Sequence, residues 1–159
     1  GRKEYTPEDF SKVLATNLTG TFMFCQEAAR QMIKQNATNG KKGGKIIITA
    51  SVGGFIGGKG VVGYGASKAG CLSLARTLAN NFGRENITVN CIAPGYFPTE
   101  LTEKFIDSDA FVQLHKDRCP KERHGILGEM DGLCVYFAAP CCTYTTGQIV
   151  AVDGGWTCN

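Results

Sequence analysis

The chain has 159 residues, a length that suits one domain. With 43% hydrophobic and 19% charged residues, its composition is that of an ordinary globular protein able to bury a core. The formal net charge of +3 is too small to indicate a nucleic-acid or membrane partner, and no apolar run approaches the roughly 18 residues of a membrane-spanning helix.

A helix signal opens the chain. Thr6 can cap a helix, Pro7 suits its first position, and Asp9 follows three residues after the cap. Apolar residues then recur at helical spacing, which predicts one long helix over 7–35 with a weak point at 17–20.

The remaining elements alternate between strands and helices. In chain order they are a strand at 45–50, a glycine-rich loop at 51–61, a helix at 62–83 that stops at Gly83, a strand at 87–94, one or two short helices at 102–118, a helix at 128–140 and a strand at 147–155. Strands that alternate with helices of ten or more residues indicate βαβ units and therefore an α/β fold with a parallel sheet.

The cysteine pattern does not indicate a metal site. The eight cysteines include no C-x-x-C pair, and the two histidines are not spaced from them as zinc ligands would be. Most cysteines lie in apolar stretches, so we predict small buried side chains in a reduced, cytoplasmic protein without metal.

The stretch SVGGFIGGKGVVGYGASKAG, residues 51–70, contains three near-matches to known motifs. Residues 58–63 spell the dinucleotide pattern G-x-G-x-x-G, but seven residues separate them from the strand that such a motif must follow directly. Residues 53–59 spell G-x-x-x-x-G-K, but Gly60 replaces the hydroxyl that would hold magnesium. Residues 65–69 approach the G-x-S-x-G nucleophile elbow, but Ser67 is predicted to lie inside a helix.

A tyrosine and a lysine in the same stretch offer different chemistry. Tyr64 and Lys68 are four residues apart, so they share one face of the predicted helix. An ammonium close to a phenol favours the phenolate, and the pair can therefore act as a general acid and base. Ser51 follows a strand, at the end where parallel sheets gather their functional groups. For an isolated pair, a surface tyrosine and a solvated lysine would be the simpler interpretation.

Several motifs in a fixed order favour the chemical interpretation. KIIITAS, YGASK, ITVNCIAPG, PGYFPTE and VDGG follow one another along the chain. This combination resembles the classical short-chain dehydrogenase/reductase family over essentially all 159 residues. The resemblance implies a Rossmann-like, doubly wound parallel sheet. It also implies an NAD(P)-dependent oxidoreductase acting on a carbonyl/alcohol pair, most similar to gluconate-type dehydrogenases or 3-oxoacyl-thioester reductases.

The resemblance also implies roles for individual residues. Tyr64 would exchange a proton with the substrate oxygen, Lys68 would assist it and hold the nicotinamide ribose, and Ser51 would hydrogen-bond the substrate. Asn17 would support a water and proton relay, although a simple helix irregularity is the alternative. The glycine-rich segment 53–60 would be a flexible wall beside the substrate. The implied cofactor contacts are Tyr64, Lys68, Pro94, Gly95, Phe97 and Thr99.

Two family motifs do not occur in these residues: the cofactor fingerprint T-G-x-x-x-G-x-G and the later N-A-G motif. We therefore expect residues 1–159 to be the catalytic C-terminal portion of a single Rossmann-like domain. The strand at 45–50 would then lie beside a strand that these residues do not contain. The choice between NAD and NADP stays open. Two alternative functions remain, a non-catalytic interaction or assembly module and, third, a phosphate-binding NTPase.

The expected partners are a small carbonyl or alcohol substrate and further copies of the protein. The resemblance implies a homotetramer or homodimer in which the helices at 7–35 and 62–83 pack against their copies. Small residues could let such helices approach closely. They are Ala66, Ala69, Gly70, Ser73 and Ala75.

Overall fold

The computed structural model describes residues 5–40, 42–58 and 61–158. Its helices are α1 (Pro7–Leu14), α2 (Gly20–Asn39), α3 (Val62–Phe82), α4 (Asp109–Arg118) and α5 (Asp131–Ala138), and its strands are β1 (Gly44–Thr49), β2 (Ile87–Pro94) and β3 (Ile149–Val152). A π-helical segment (Ala15–Thr19) joins α1 to α2, and 3₁₀ turns at Val52–Gly54 and Gly83–Glu85 flank α3.

The first helical stretch follows its sequence signals closely. The Thr6 side chain accepts a hydrogen bond from the Asp9 N–H at 3.1 Å and caps α1. The predicted weak point coincides with the π segment Ala15–Thr19, where the hydrogen-bonding register changes without ending the helix. The stretch ends at Asn39, four residues later than the predicted limit of 35.

The three strands form one parallel sheet in the order β1-β2-β3. β2 is the central strand, and its residues from Ile87 to Ala93 are all buried. The main core lies between one face of the sheet and helices α2 and α3, where Val89 and Cys91 are completely buried. Helix α5 covers the other face through Phe137. This confirms the predicted α/β class with a Rossmann-like sheet covered on both faces.

Two local predictions are confirmed. Helix α3 ends at Phe82 with Gly83 as its C-terminal cap, and the φ of Gly83 is −58°, so the chain continues into a 3₁₀ turn. The left-handed residue is Asn86 (φ 59°), which directs the chain into β2, and asparagine is one of the few non-glycine residues that tolerate this conformation. Within 102–118 one short helix forms, α4, in agreement with the prediction of one or two.

The small residues of α3 are divided between two environments. Ala75 is fully buried in the core, and a Cβ on Gly70 would lie 2.6 Å from Leu18 Cδ2. These two positions therefore serve packing inside the chain and are unavailable to a second copy. Ala66, Ala69 and Ser73 are exposed, so they alone remain from the predicted assembly face.

Burial separates the cysteines into two groups. Five are buried, namely Cys25, Cys71, Cys91, Cys119 and Cys142, whereas Cys134, Cys141 and Cys158 are exposed. Burial raises the pKa of the Cys91 thiol to about 11. In the described residues, no helix is both long enough and apolar enough to span a membrane.

Candidate active site

A tight turn connects the end of β1 to the site. Ser51 is extended, and its Oγ accepts a hydrogen bond from the Gly53 N–H at 3.1 Å, which caps the 3₁₀ turn Val52–Gly54. This turn packs directly on α3, because a Cβ on Gly54 would lie 2.8 Å from the carbonyl carbon of Lys68. Instead of a loose wall, this part of the glycine-rich segment is a hydrogen-bonded turn with no spare space.

The structure brings three predicted catalytic side chains together at the carboxyl end of β1. Lys68 Nζ donates a hydrogen bond to the Thr49 carbonyl oxygen at 3.1 Å and lies 5.7 Å from the centre of the Tyr64 ring. A Cβ on Gly53 would lie 3.3 Å from Tyr64 Cε1 and 3.5 Å from Ser51 Oγ. The Tyr64 ring and the Ser51 hydroxyl therefore lie close together, next to Gly53. Within the described residues, the Tyr64 hydroxyl has no hydrogen-bond partner.

Asn17 reaches the same helix from the π segment. Its Nδ2 donates to Ser67 Oγ at 3.1 Å, and Ser67 Oγ donates to the Tyr64 carbonyl oxygen at 2.7 Å. The Asn17 carbonyl oxygen accepts hydrogen bonds from Thr21 Oγ1 at 2.7 Å and from Cys71 Sγ at 3.4 Å. Asn17 is therefore both a point of helix irregularity and a neighbour of the proposed catalytic groups.

The ends of β2 and β3 meet at Gly95. The Gly95 N–H donates to the Val152 carbonyl oxygen at 2.9 Å. A Cβ at this position would lie 2.8 Å from the Asp153 Cα, so only glycine fits between the two backbones. Pro94 ends β2 just before this contact. The two strand ends thereby form a closely packed floor beside the carboxyl end of β1.

A threonine that sequence reasoning missed organises the segment after Gly95. Thr102 Oγ1 donates to the Phe97 carbonyl oxygen at 2.5 Å, accepts from the Thr99 N–H at 2.9 Å and lies 3.1 Å from Thr99 Oγ1. The Phe97 ring is buried against Gly125. Thr99 and Thr102 are three residues apart, and this spacing could have predicted the turn from the sequence. Hydroxyl side chains commonly close such turns by hydrogen-bonding to the backbone.

An aromatic cluster joins the segment after β2 to α4 and to the C-terminal turn. The Tyr96 ring makes edge contacts with Phe111, His115 and Trp156, at centroid distances of 4.9, 5.5 and 5.1 Å. Burial raises the pKa of Tyr96, and the proximity of Tyr64 raises it further. The cluster holds the segment that follows β2 against the C-terminal turn.

The alternative motifs gain no support from the described residues. Ser67 is completely buried within α3, and its hydroxyl is engaged by Asn17 and by backbone, which does not suit a nucleophile. His115 bonds to its own helix and His124 to Asp107, so neither addresses Ser67 as a base. The phosphate-loop and dinucleotide patterns depend on residues 59–60, which lie outside the described residues.

Comparisons with known proteins also identify dehydrogenases and reductases as relatives. A protein-family model described as enoyl-(acyl carrier protein) reductase matches residues 2–157. The chain is 38% identical over 154 residues to 2-dehydro-3-deoxy-D-gluconate 5-dehydrogenase of Dickeya dadantii, covering 96% of this chain and 58% of that protein. It is 35% identical over 147 residues to a 3-oxoacyl-(acyl-carrier-protein) reductase of Aquifex aeolicus, covering 92% and 56%.

A solved structure extends the comparison to three dimensions. The gluconate 5-dehydrogenase of Burkholderia cenocepacia, crystallised with NADP and tartrate, superposes with a TM-score of 0.89 at 32% identity, covering 98% of this chain and 58% of that one. The chain thus spans less than two thirds of the length of these relatives. By sequence and by structure, it belongs to the short-chain dehydrogenase/reductase family.

Proposed function

We propose that the complete protein is an NAD(P)-dependent oxidoreductase that interconverts a carbonyl and a secondary alcohol, and that this chain supplies its proton-transfer groups. One observation carries the proposal. The Tyr64 ring lies beside Lys68 and Ser51 at the carboxyl end of β1, and its hydroxyl has no hydrogen-bond partner in the described residues. This is the end of a parallel sheet at which open α/β folds bind their ligands.

In this mechanism, Tyr64 donates its phenolic proton to the carbonyl oxygen during reduction and accepts a proton from the alcohol during oxidation. The positive charge of Lys68 stabilises the phenolate that remains. Ser51 Oγ accepts one hydrogen bond from the Gly53 N–H, so its own proton is available to the substrate oxygen. Asn17 would support a water-mediated path that returns a proton to Tyr64.

The residues present suit the nicotinamide end of a cofactor. Lys68 uses one of its three N–H donors on Thr49, which leaves two for ribose hydroxyls. The backbone of Phe97 and the Thr99 hydroxyl offer both donors and acceptors for a carboxamide, and they follow the close contact at Pro94 and Gly95 along the chain. A bound nicotinamide would supply or accept the hydride.

We further propose that residues 1–159 are the catalytic part of a single domain. The T-G-x-x-x-G-x-G fingerprint does not occur among them, so other residues of the complete protein would bind the adenine and pyrophosphate.

The names of the relatives support two substrate classes, sugar acids and 3-oxoacyl thioesters. A homodimer or homotetramer would use the exposed small residues of α3, namely Ala66, Ala69 and Ser73.

The test is a steady-state assay of the full-length protein with NADH and NADPH, using 5-dehydro-D-gluconate and acetoacetyl-CoA as the two substrates. Tyr64→Phe keeps the ring and removes the transferable proton, so turnover should fall at least about 10²-fold. Tyr144→Phe is the matched control, because Tyr144 is fully exposed. Near-normal turnover in Tyr64→Phe would remove Tyr64 from the mechanism.

The same assay addresses the non-catalytic alternative. A full-length protein that binds neither nucleotide and reduces neither substrate would favour an interaction or assembly module. If the protein is active, the ratio of kcat/KM for the two substrates assigns the substrate class. The ratio of kcat/KM for the two cofactors assigns NAD or NADP.

A further inference from the structure

Ser67 lies between the two proposed catalytic residues of α3, but its side chain is buried whereas theirs are partly exposed. Its exposed fraction is 0%, and of the buried residues of α3 it alone carries a hydroxyl. A buried hydroxyl is costly unless it is hydrogen-bonded, so its partners are informative. They belong to the two elements on which the proposed proton transfer depends.

The hydrogen bonds of Ser67 have defined directions. The hydroxyl has one proton, which it donates to the Tyr64 carbonyl oxygen at 2.7 Å. It must therefore act as the acceptor for Asn17 Nδ2, at 3.1 Å. The contact joins residues that are 50 positions apart in the sequence. One side chain thus connects the π segment to the helical turn that carries Tyr64.

Two glycines on the same face of α3 allow α1 and the π segment to approach this helix closely. A Cβ on Gly63 would lie 3.2 Å from the Val13 Cβ, and a Cβ on Gly70 would lie 2.6 Å from Leu18 Cδ2. Ser67 stands four residues after the first glycine and three before the second, so all three share one helical face. The π segment and its flanks therefore pack against α3 along a line on which Ser67 makes the polar contact.

We propose that Ser67 is a positioning residue for the proposed proton transfer. By holding the Asn17 amide and the Tyr64 carbonyl together, it sets the rotation of α3 about its axis relative to the π segment. That rotation determines where the Tyr64 hydroxyl lies relative to Ser51. The inference rests on the proposed function, because it assumes that Tyr64 transfers the proton.

The test compares Ser67→Ala, Asn17→Ala and the double variant of the full-length protein, with Thr77→Ala as the control. Thr77 is an exposed hydroxyl residue on the same helix. Ser67→Ala should lower kcat by about 10- to 100-fold, since small misplacements of catalytic groups have effects of this size. KM for the cofactor should change little. The double variant should be no slower than the slower single variant, because each single change already removes the shared contact.

Several outcomes would overturn the proposal. Wild-type kcat in Ser67→Ala would show that the hydroxyl positions nothing of kinetic importance. Effects that multiply in the double variant would show that Ser67 does not act through Asn17. If Ser67→Ala does not fold, Ser67→Cys replaces it. A thiol is a weak acceptor of similar size, so kcat should again fall, and an unchanged kcat would refute the proposal.

The Tyr64→Phe variant keeps this inference separate from the proposed function. If Tyr64→Phe is inactive and Ser67→Ala is fully active, the positioning role fails and the proposed function stands. If Tyr64→Phe retains near-normal turnover, the proposed proton-transfer role of Tyr64 fails, and the positioning role of Ser67 fails with it.

Discussion

Replacing Gly54 with alanine should reduce both the stability and the turnover of the protein. The new Cβ would lie 2.8 Å from the carbonyl carbon of Lys68 and 2.9 Å from the backbone nitrogen of Ala69. Both are backbone atoms, so neither can rotate away. To reach the 3.4 Å at which ordinary contact begins, the turn and α3 must separate by roughly 0.6 Å. Overpacking of this kind lowers the free energy of unfolding by about 1–3 kcal/mol.

The same separation should alter catalysis, because Ser51 precedes this turn and Tyr64 lies on α3. A misplacement of about 1 Å can reduce a rate about 10²-fold, so a smaller shift should lower kcat by roughly tenfold. The free energy of unfolding would be measured by urea denaturation, and kcat by nicotinamide oxidation in the full-length protein.

Gly57→Ala is the matched control. A Cβ at Gly57 would meet nothing within 4 Å, and its backbone is not left-handed, so its stability should stay within about 0.5 kcal/mol of wild type. Equal stability of the two variants would refute the close packing of Gly54. A loss of stability with unchanged kcat would refute the link between this turn and the site.

Three further predictions concern thiols, a hydroxyl and the sheet edge. A thiol reagent should rapidly label only the exposed cysteines of this chain, Cys134, Cys141 and Cys158, and mass spectrometry showing a fourth rapid site would contradict the burial pattern. Thr102→Val removes the hydroxyl that orders the Phe97 and Thr99 segment, so KM for NAD(P)H should rise roughly fivefold, the equivalent of about one hydrogen bond to the cofactor, whereas an unchanged KM would separate Thr102 from cofactor binding. The 159-residue chain alone should associate through β1 and bind neither nucleotide usefully. A monodisperse monomer with micromolar affinity for NADH or NADPH would contradict this last prediction.

Local patterns were sufficient for most of the fold. The β-branched run at 45–50 and the apolar strand at 87–94 predict buried parallel strands, and β1 and β2 lie there. The i, i+4 spacing of Tyr64 and Lys68 predicts a shared helical face, and both side chains lie at the end of β1. These features depend on short-range periodicity, which a single sequence displays directly.

The features that sequence reasoning missed depend on distant partners. A weak point near Asn17 was visible, but the π segment uses a hydrogen bond to Ser67, 50 residues away. Gly83 was predicted as the helix stop and is the cap of α3, but the left-handed turn at Asn86, which directs the chain into β2, was not predicted. Intrinsic propensity identifies residues that can perform a turn, whereas tertiary contacts decide which of them does so.

The position of β1 links the fold to the site. Ile46 and Ile48 are buried in the main core, while Ile47 packs on the opposite face, so both faces of the strand are covered. Within the described residues its only strand partner is β2, and its other edge is unpaired. Yet the end of this strand provides the Thr49 carbonyl that Lys68 binds, and it leads into Ser51. A strand covered on two faces but paired on one side can shift along its free edge more easily than a central strand. The precision of the site therefore depends on α3 holding β1 in place.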